Sequence, residues 1–298
     1  MEGGKKISMN RETWTDEALL RLSRILERAE SLLEKKEPAP PDPAVFRDCL
    51  AFRWAPSGES GRIVPVEHPH LVDLSLLVGI DAAKTELIRN TAQFVAGAPA
   101  NHVLLWGERG TGKSSCVKGL LDMFGAQGLR IVELARWDLF SFPMIAGQLR
   151  ALPHRFILFC DDLSFDEGEV DFRGLKTLLD GGVEERPENV LIYATSNRRH
   201  LMPEQRVELG MEDELHPEEA ISEKLSLSDR FGLQLGFYRF NQETYLAIVE
   251  KYAGRLNLSV SPETLREEAL RWAIAAGSRS GRTAKQFIDD LAGRMSLR

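Results

Sequence analysis

Thiols are scarce in this 298-residue chain: three cysteines, Cys49, Cys116 and Cys160, stand far apart and form no C-x-x-C pair. Six histidines never cluster at ligand spacing, so neither a disulfide framework nor a zinc site follows, and a reducing interior fits. Apolar runs are short. None approaches the roughly 18 continuous residues of a membrane span, and the opening "MEGGKKISMNRETWTDEALL" lacks the apolar region of a secretion signal. A cytoplasmic protein with no membrane span is expected. Positive charge is in deficit, with 38 Lys and Arg against 45 Asp and Glu for a formal net charge of -7. That balance argues against a chain that coats nucleic acid over its whole surface, while leaving room for a local basic face. What is plentiful is apolar content, 43% of residues, enough to bury a full core in one large domain or two smaller ones.

Residues 13–36, "TWTDEALLRLSRILERAESLLEKK", set Trp14, Leu19, Leu22, Ile25, Leu26, Ala29 and Leu32 on one helical stripe. An N-terminal segment 1–37 is therefore expected as an amphipathic helix in want of a partner surface. Pro38, Pro40, Pro41 and Pro43 then interrupt any helix and open a Pro-rich linker and wrap over 38–75. Within it "AFRW" and "GRIVPVEHPH" read either as short strands or as an irregular wrap onto the main domain.

From Leu76 on, five apolar runs alternate with helix-length stretches: "HVLLWG", "LRIVEL", "FILFCDD", "NVLIYATSN" and "LQLGFYRF". Runs apolar on both faces predict an α/β domain over 76–240, a parallel five-stranded sheet sandwiched by helices. Between Glu204 and Lys224 eight acids meet two bases, which predicts an exposed insertion followed by a helix. After Asn241 the strand signal stops. "QETYLAIVEKYAGRL", "SPETLREEALRWAIAAG" and "GRTAKQFIDDLAGRM" predict three helices of a small domain over 241–298, the second opened by a Ser cap with Pro in its first turn.

"HVLLWGERGTGKSSC" joins a buried strand to a helix through "GERGTGKS", a match to G-x-x-x-x-G-K-[S/T]. Average composition yields such a match in roughly one chain of this length in a hundred. The alternative is a glycine turn with an incidental lysine. Strand-to-helix context favours a phosphate cradle, in which glycines let backbone N–H groups curl round an anion at a helix N-terminus. Gly107, Glu108, Arg109, Gly110, Thr111, Gly112, Lys113, Ser114 and Ser115 are thus candidate phosphate-binding residues, for ATP in the resemblance given below. Lys113 is expected on the β- and γ-phosphates and Ser114 on Mg2+. "RFILFCDDLSF" ends a strand in Asp161 and Asp162; the first is assigned to the Mg2+ shell and the second to the attacking water, with an acidic helix cap as the alternative. Asn197, closing "NVLIYATSN", is placed to orient that water, or is simply a turn residue.

Together these pieces resemble the AAA+ ATPases from about Leu76 to Arg298. "LVGID" looks like the adenine-contacting segment, which implies Val78, Gly79 and Ile80 as contacts. "GERGTGKS" looks like Walker A, "FILFCDD" like Walker B and "ATSN" like sensor 1. "SLSDRFG" is similar to the box that presents an arginine finger, implying Arg230, and "SGRTAKQF" to the sensor 2 helix, implying Arg282. "ILFCDDLSF", "LIYATSNRRHL" and "KLSLSDRFGL" together most resemble a bacterial AAA+ ATP-binding family known as a domain of unknown function. The resemblance implies hydrolysis of Mg-ATP at the interfaces of a homo-oligomeric ring, expected as a hexamer with Arg230 acting in trans, that remodels or switches a protein or nucleic-acid client. One position departs from the pattern: Asp162 stands where most of these enzymes carry Glu, which implies slow turnover. Trp137, Phe140 and Phe142 lie where a substrate-gripping loop would fall, without its aromatic-hydrophobic-Gly order, and core packing accounts for them at least as well.

Two other readings compete. Arg198, Arg199 and His200, with seven Lys and Arg against four acids in residues 266–298, suit a nucleic-acid-associated ATPase such as a helicase loader. A small-molecule P-loop kinase explains the loop but gives Arg230 no role, and the lack of an N-K-x-D motif disfavours a GTPase.

Overall fold

The computed structural model describes residues 42–58, 60–163, 187–199 and 228–297, together with Arg21, Ser23, Arg24 and Leu179. The chain divides into two units, Met1–Ala39 and Pro40–Arg298. In the first, Arg21, Ser23 and Arg24 are helical; the rest of the expected N-terminal helix and the acidic stretch 204–224 lie outside the described residues.

The second unit is built on a sheet of strands β1 (Ala51–Ser57), β2 (Ser60–Pro65), β3 (Val103–Gly107), β4 (Leu129–Leu134), β5 (Arg155–Cys160), β6 (Val190–Ser196) and β7 (Leu233–Phe237). Its spatial order is β2-β1-β4-β5-β6-β3-β7. The five apolar runs are β3 to β7, and each neighbouring pair among them is parallel. The sheet has seven strands where five were expected. "AFRW" and the start of "GRIVPV" form the extra hairpin, with β1 parallel to β4 and β2 antiparallel to β1. Phe52, Trp54 and Ile63 point into the core while Arg53 and Arg62 face out, the period-two pattern of a half-buried strand.

Both faces of the sheet are covered, as parallel strands require. On one, Ile157 and Phe159 of β5 and Leu191 and Tyr193 of β6 pack beneath helices α1 (Asp81–Val95) and α2 (Lys113–Phe124), and the same apolar cluster continues into α4 (Gln242–Arg255), α5 (Pro262–Ala275) and α6 (Gly281–Ser296). On the other, Phe156, Leu158, Val190 and Ile192 pack with α3 (Phe142–Arg150) and with Phe46. Core packing accounts for Phe142, which is buried. It does not account for Trp137 and Phe140, which are 67% and 51% exposed. No described helix is long and apolar enough to cross a membrane.

Strand order fixes where a ligand can sit. From β3 the chain crosses to β4 and fills inward through β5 and β6, then passes over β3 to β7. The reversal lies at β3 and β6, and such switch points open a crevice at the C-terminal strand ends. The loop Gly107–Ser114, Asp161–Asp162 and Asn197 all follow the C-terminal ends of neighbouring strands.

Candidate functional site

β3 ends at Gly107, whose φ of 129° belongs to glycine alone. A Cβ there would overlap the carbonyl oxygen of Phe237, and the next amide, Glu108 N–H, donates to that same oxygen at 2.9 Å. The loop thus peels off hard against β7. Gly110, with φ 74°, is the second pinch point: a side chain would meet Ser280 Oγ at 2.8 Å. Its carbonyl accepts from the amides of Gly281 at 2.9 Å and Arg282 at 3.4 Å, so the N-terminus of α6 is docked on the loop. Lys113 opens α2, so the loop amides and the helix N-terminus share one pole of positive potential.

Lys113 is buried, and its Nζ donates to Gly107 O at 2.7 Å, Glu108 O at 2.8 Å and Asn197 Oδ1 at 3.2 Å. Burial lowers its pKa from the ordinary lysine value, a shift opposed by the charges of Asp161, Asp162 and Glu108. Beside it, Asp161 Oδ1 accepts from Ser114 Oγ and from Thr195 Oγ1, each at 2.6 Å. Thr195 also accepts, through the same hydroxyl, from the Asp162 amide at 2.9 Å, and its carbonyl accepts from Leu163 N–H at 2.7 Å. Asp162 is held with φ 57°, a left-handed backbone, and its Oδ1 accepts from Asn197 Nδ2 at 2.6 Å. Lysine, two acids, two hydroxyls and an amide therefore form one continuous hydrogen-bonded chain across three strand ends.

These groups line a cleft of about 650 Å3. One end is apolar: Leu76, Leu77, Val78, Phe240, Ile248 and Tyr252. Lys84 of α1 fixes that end by donating to Leu77 O at 2.9 Å. The other end sets the cations Arg109, Lys113, Lys118, Arg282 and Lys285 against Asp161 and Asp162, a surplus that suits a polyanion with an apolar head. Ser114 and Asp161 offer hard oxygens of the kind Mg2+ prefers, and the loop amides of Gly110, Thr111 and Gly112, unlike that of Glu108, make no hydrogen bond among the described residues and could meet phosphate oxygens.

Of the expected contacts, Val78, Arg109, Gly110, Thr111, Gly112, Lys113, Ser114, Ser115, Asp161, Asp162, Asn197 and Arg282 line this cleft. Gly79, Ile80, Gly107 and Glu108 do not: Ile80 is buried in the core, and Glu108 faces a smaller recess. Arg230 precedes the opposite end of β7 and lines a separate cleft of about 520 Å3 with Asn101, His102 and Arg155. Thr195, Lys118, Lys285 and the apolar Phe240, Ile248 and Tyr252 were not anticipated. Lys118 stands one helical turn beyond Ser114 and Lys285 one beyond Arg282, spacing that marks them once the helices are assigned. Thr195 needs the register of β5 on β6, which pairs Cys160 with Ala194 and so sets Asp161 beside Thr195.

Among solved structures, the chain is similar to the Thermotoga maritima RuvB Holliday junction branch migration motor, at 13% identity and a TM-score of 0.44, covering 74% of this chain and 72% of that one. A mutant form of the same Thermotoga maritima RuvB gives 15% and 0.45 over 72% of this chain and 70% of that one. A second mutant form gives 14% and 0.45 over 72% and 71%. No curated protein matches the chain in sequence. Residues 47–295 match the family described as "Protein of unknown function (DUF815)", and the chain belongs to that family.

Proposed function

We propose that this chain is an AAA+ ATPase that binds Mg-ATP in the cleft between the sheet and the C-terminal helices and hydrolyses it to remodel or switch a macromolecular client. The observation that carries this reading is the continuous chain Lys113–Asn197–Asp162 and Ser114–Asp161–Thr195 at the N-terminus of α2, closed over by α6. In this reading the adenine lies against Leu77, Val78, Phe240 and Tyr252, and the loop amides and Lys113 take the phosphates. Arg282 and Lys285 reach the same phosphates from α6. Ser114 and Asp161 hold Mg2+, which when bound withdraws charge from the phosphate oxygens. Asp162 accepts the proton of the attacking water at its carboxylate, with Asn197 fixing that carboxylate and Lys113 together. The left-handed backbone at Asp162 re-aims an acid one methylene shorter than Glu. Arg230 acts on the nucleotide of a neighbouring copy in a ring, expected as a hexamer.

Calorimetric titration tests the nucleotide site. Wild-type protein should bind ATP, more tightly with Mg2+. Lys113→Ala should weaken binding at least roughly tenfold, since charge-assisted contacts contribute about 1.5–3 kcal/mol. The circular dichroism spectrum should be retained. Equal affinity in the variant would overturn the assignment.

A further inference from the structure

The nucleotide cleft uses one side of the segments that follow β3, β6 and β7; their immediate chain neighbours build a second surface. Trp106 precedes Gly107, Arg198 and Arg199 follow Asn197, and Tyr238 and Arg239 precede Phe240. The Arg199 guanidinium lies 5.2 Å from the centre of the Trp106 ring. Tyr238 meets that ring edge-on, centroids 5.7 Å apart and planes at 84°. Gly236 makes room for both, since a Cβ there would come within 2.9 Å of Trp106 and 3.0 Å of Tyr238 Oη. Tyr238 is nonetheless 71% exposed, and Arg198, Arg199 and Arg239 are exposed as well. Arg239 continues the surface into a recess of about 200 Å3 shared with Arg109 and Arg279, where Glu108 is the one acid among the described residues.

Such a concentration of arginine runs against the chain's net charge of -7. A solvated cationic face has no use for paired aromatic rings, and a core has no use for exposed arginines. Both together serve a ligand that repeats a phosphate and a flat ring. Guanidinium groups pair with phosphodiester oxygens, and aromatic faces stack bases without regard to sequence. An acidic peptide would engage the arginines and leave Tyr238 and Trp106 idle.

We propose that this surface binds a single-stranded nucleic acid, with phosphates on Arg198, Arg199 and Arg239 and a base on Tyr238. Because Asn197 and Arg198–Arg199 are contiguous, and Gly107 follows Trp106, the bound strand is coupled to the state of the cleft. Nucleotide and strand then alter each other's affinity by the same factor. That coupling, unlike the surface itself, rests on the nucleotide reading above.

Fluorescence anisotropy of labelled oligothymidylate and oligouridylate with the full chain, across a salt series and with or without Mg-ATP, tests this. Binding should weaken with salt at a log–log slope of about −0.7 per phosphate neutralised. Tyr238→Ala should weaken it roughly tenfold, with Tyr238→Phe restoring it, because the ring and not the hydroxyl stacks. Arg199→Glu should weaken it further, and ATP affinity should be unchanged in all three. The two oligomers separate DNA from RNA as the ligand. Absence of binding by the wild-type chain, binding indifferent to Tyr238→Ala, or displacement by polyglutamate as readily from wild type as from Tyr238→Ala would each overturn the proposal. A protein that binds ATP but neither oligomer loses this inference and keeps its nucleotide site; one that binds oligomers and not ATP does the reverse.

Discussion

Thr195 shows how much one hydroxyl can organise. It donates to Asp161 Oδ1 and accepts from the Asp162 amide, so one oxygen sets both the orientation of the first acid and the left-handed turn that aims the second. Thr195→Val keeps the shape and removes one hydrogen bond from the Asp161 carboxylate, which keeps Ser114 as its other donor, and one from the part-buried Asp162 amide; a bond to a charged group contributes about 1.5–3 kcal/mol. The Mg2+ concentration for half-maximal ATP hydrolysis should rise and kcat should fall by about ten- to a hundredfold on that basis, while Thr195→Ser recovers both; a Ser variant as impaired as Val would reduce Thr195 to a packing residue. Asp162→Asn should differ in kind, retaining ATP affinity and lowering turnover by about 10²- to 10⁴-fold, the share of a general base. The nearby thiols do not compete for this chemistry. Burial pushes Cys116 and Cys160 up to about 12, the latter helped by Asp161 and Asp162, so both stay protonated and unreactive at neutral pH.

At the scale of elements, the three C-terminal helices open alike, with Asn241, Ser261 and Ser280 each accepting from an amide three residues on. Only the third cap sits on the glycine loop, where the α6 amides reach Gly110 O. Ser261→Ala and Ser280→Ala should each cost about 1 kcal/mol in thermal or urea denaturation, but only Ser280→Ala should also weaken ATP binding; equal affinities would separate α6 from the nucleotide. Much of this layout is written in the chain because its causes are local. A glycine loop suited to curl its amides round one anion must be contiguous in sequence, and N-x-x-T and S-x-x-T announce the caps. What was not legible depends on partners distant in sequence. Thr195 acquires its role only through the β5–β6 register. The β1–β2 hairpin is masked by Pro56 and Pro65 until Trp54 is paired with Ile63. Trp137 and Phe140 have the composition of a core, and their exposure follows from where the chain turns after β4.

Across the whole molecule, the proposed reading assigns different halves of one reaction to the two ends of the sheet. β3 and β7 run parallel in register from Val103 and Leu233 to Gly107 and Phe237; at about 3.3 Å per residue their paired stretch is roughly 13 Å long. The glycine loop leaves from the far end and Arg230 enters at the near one, in a cleft lined by His102, whose Nδ1 accepts from the Ile192 amide at 3.0 Å. Arg230 and its own Asp162 are thus at opposite ends of the strands that separate them, so in the proposed reading Arg230 serves hydrolysis by reaching another copy's nucleotide. An arginine supplied in trans contributes about 10³ to 10⁵ in rate, so Arg230→Ala alone should be nearly inactive while still binding ATP. Asp162→Asn alone should be nearly inactive for the opposite reason, holding a good finger and no base. Mixed together, the two variants create interfaces in which the Arg230→Ala subunit supplies the base and the Asp162→Asn subunit the finger, and phosphate release should reappear with a maximum near equal proportions. Wild-type specific activity should likewise climb with protein concentration as subunits assemble. An arginine that only stabilises its own fold predicts a lowered melting temperature, activity independent of concentration and no recovery on mixing, and that result would end the case for a shared site.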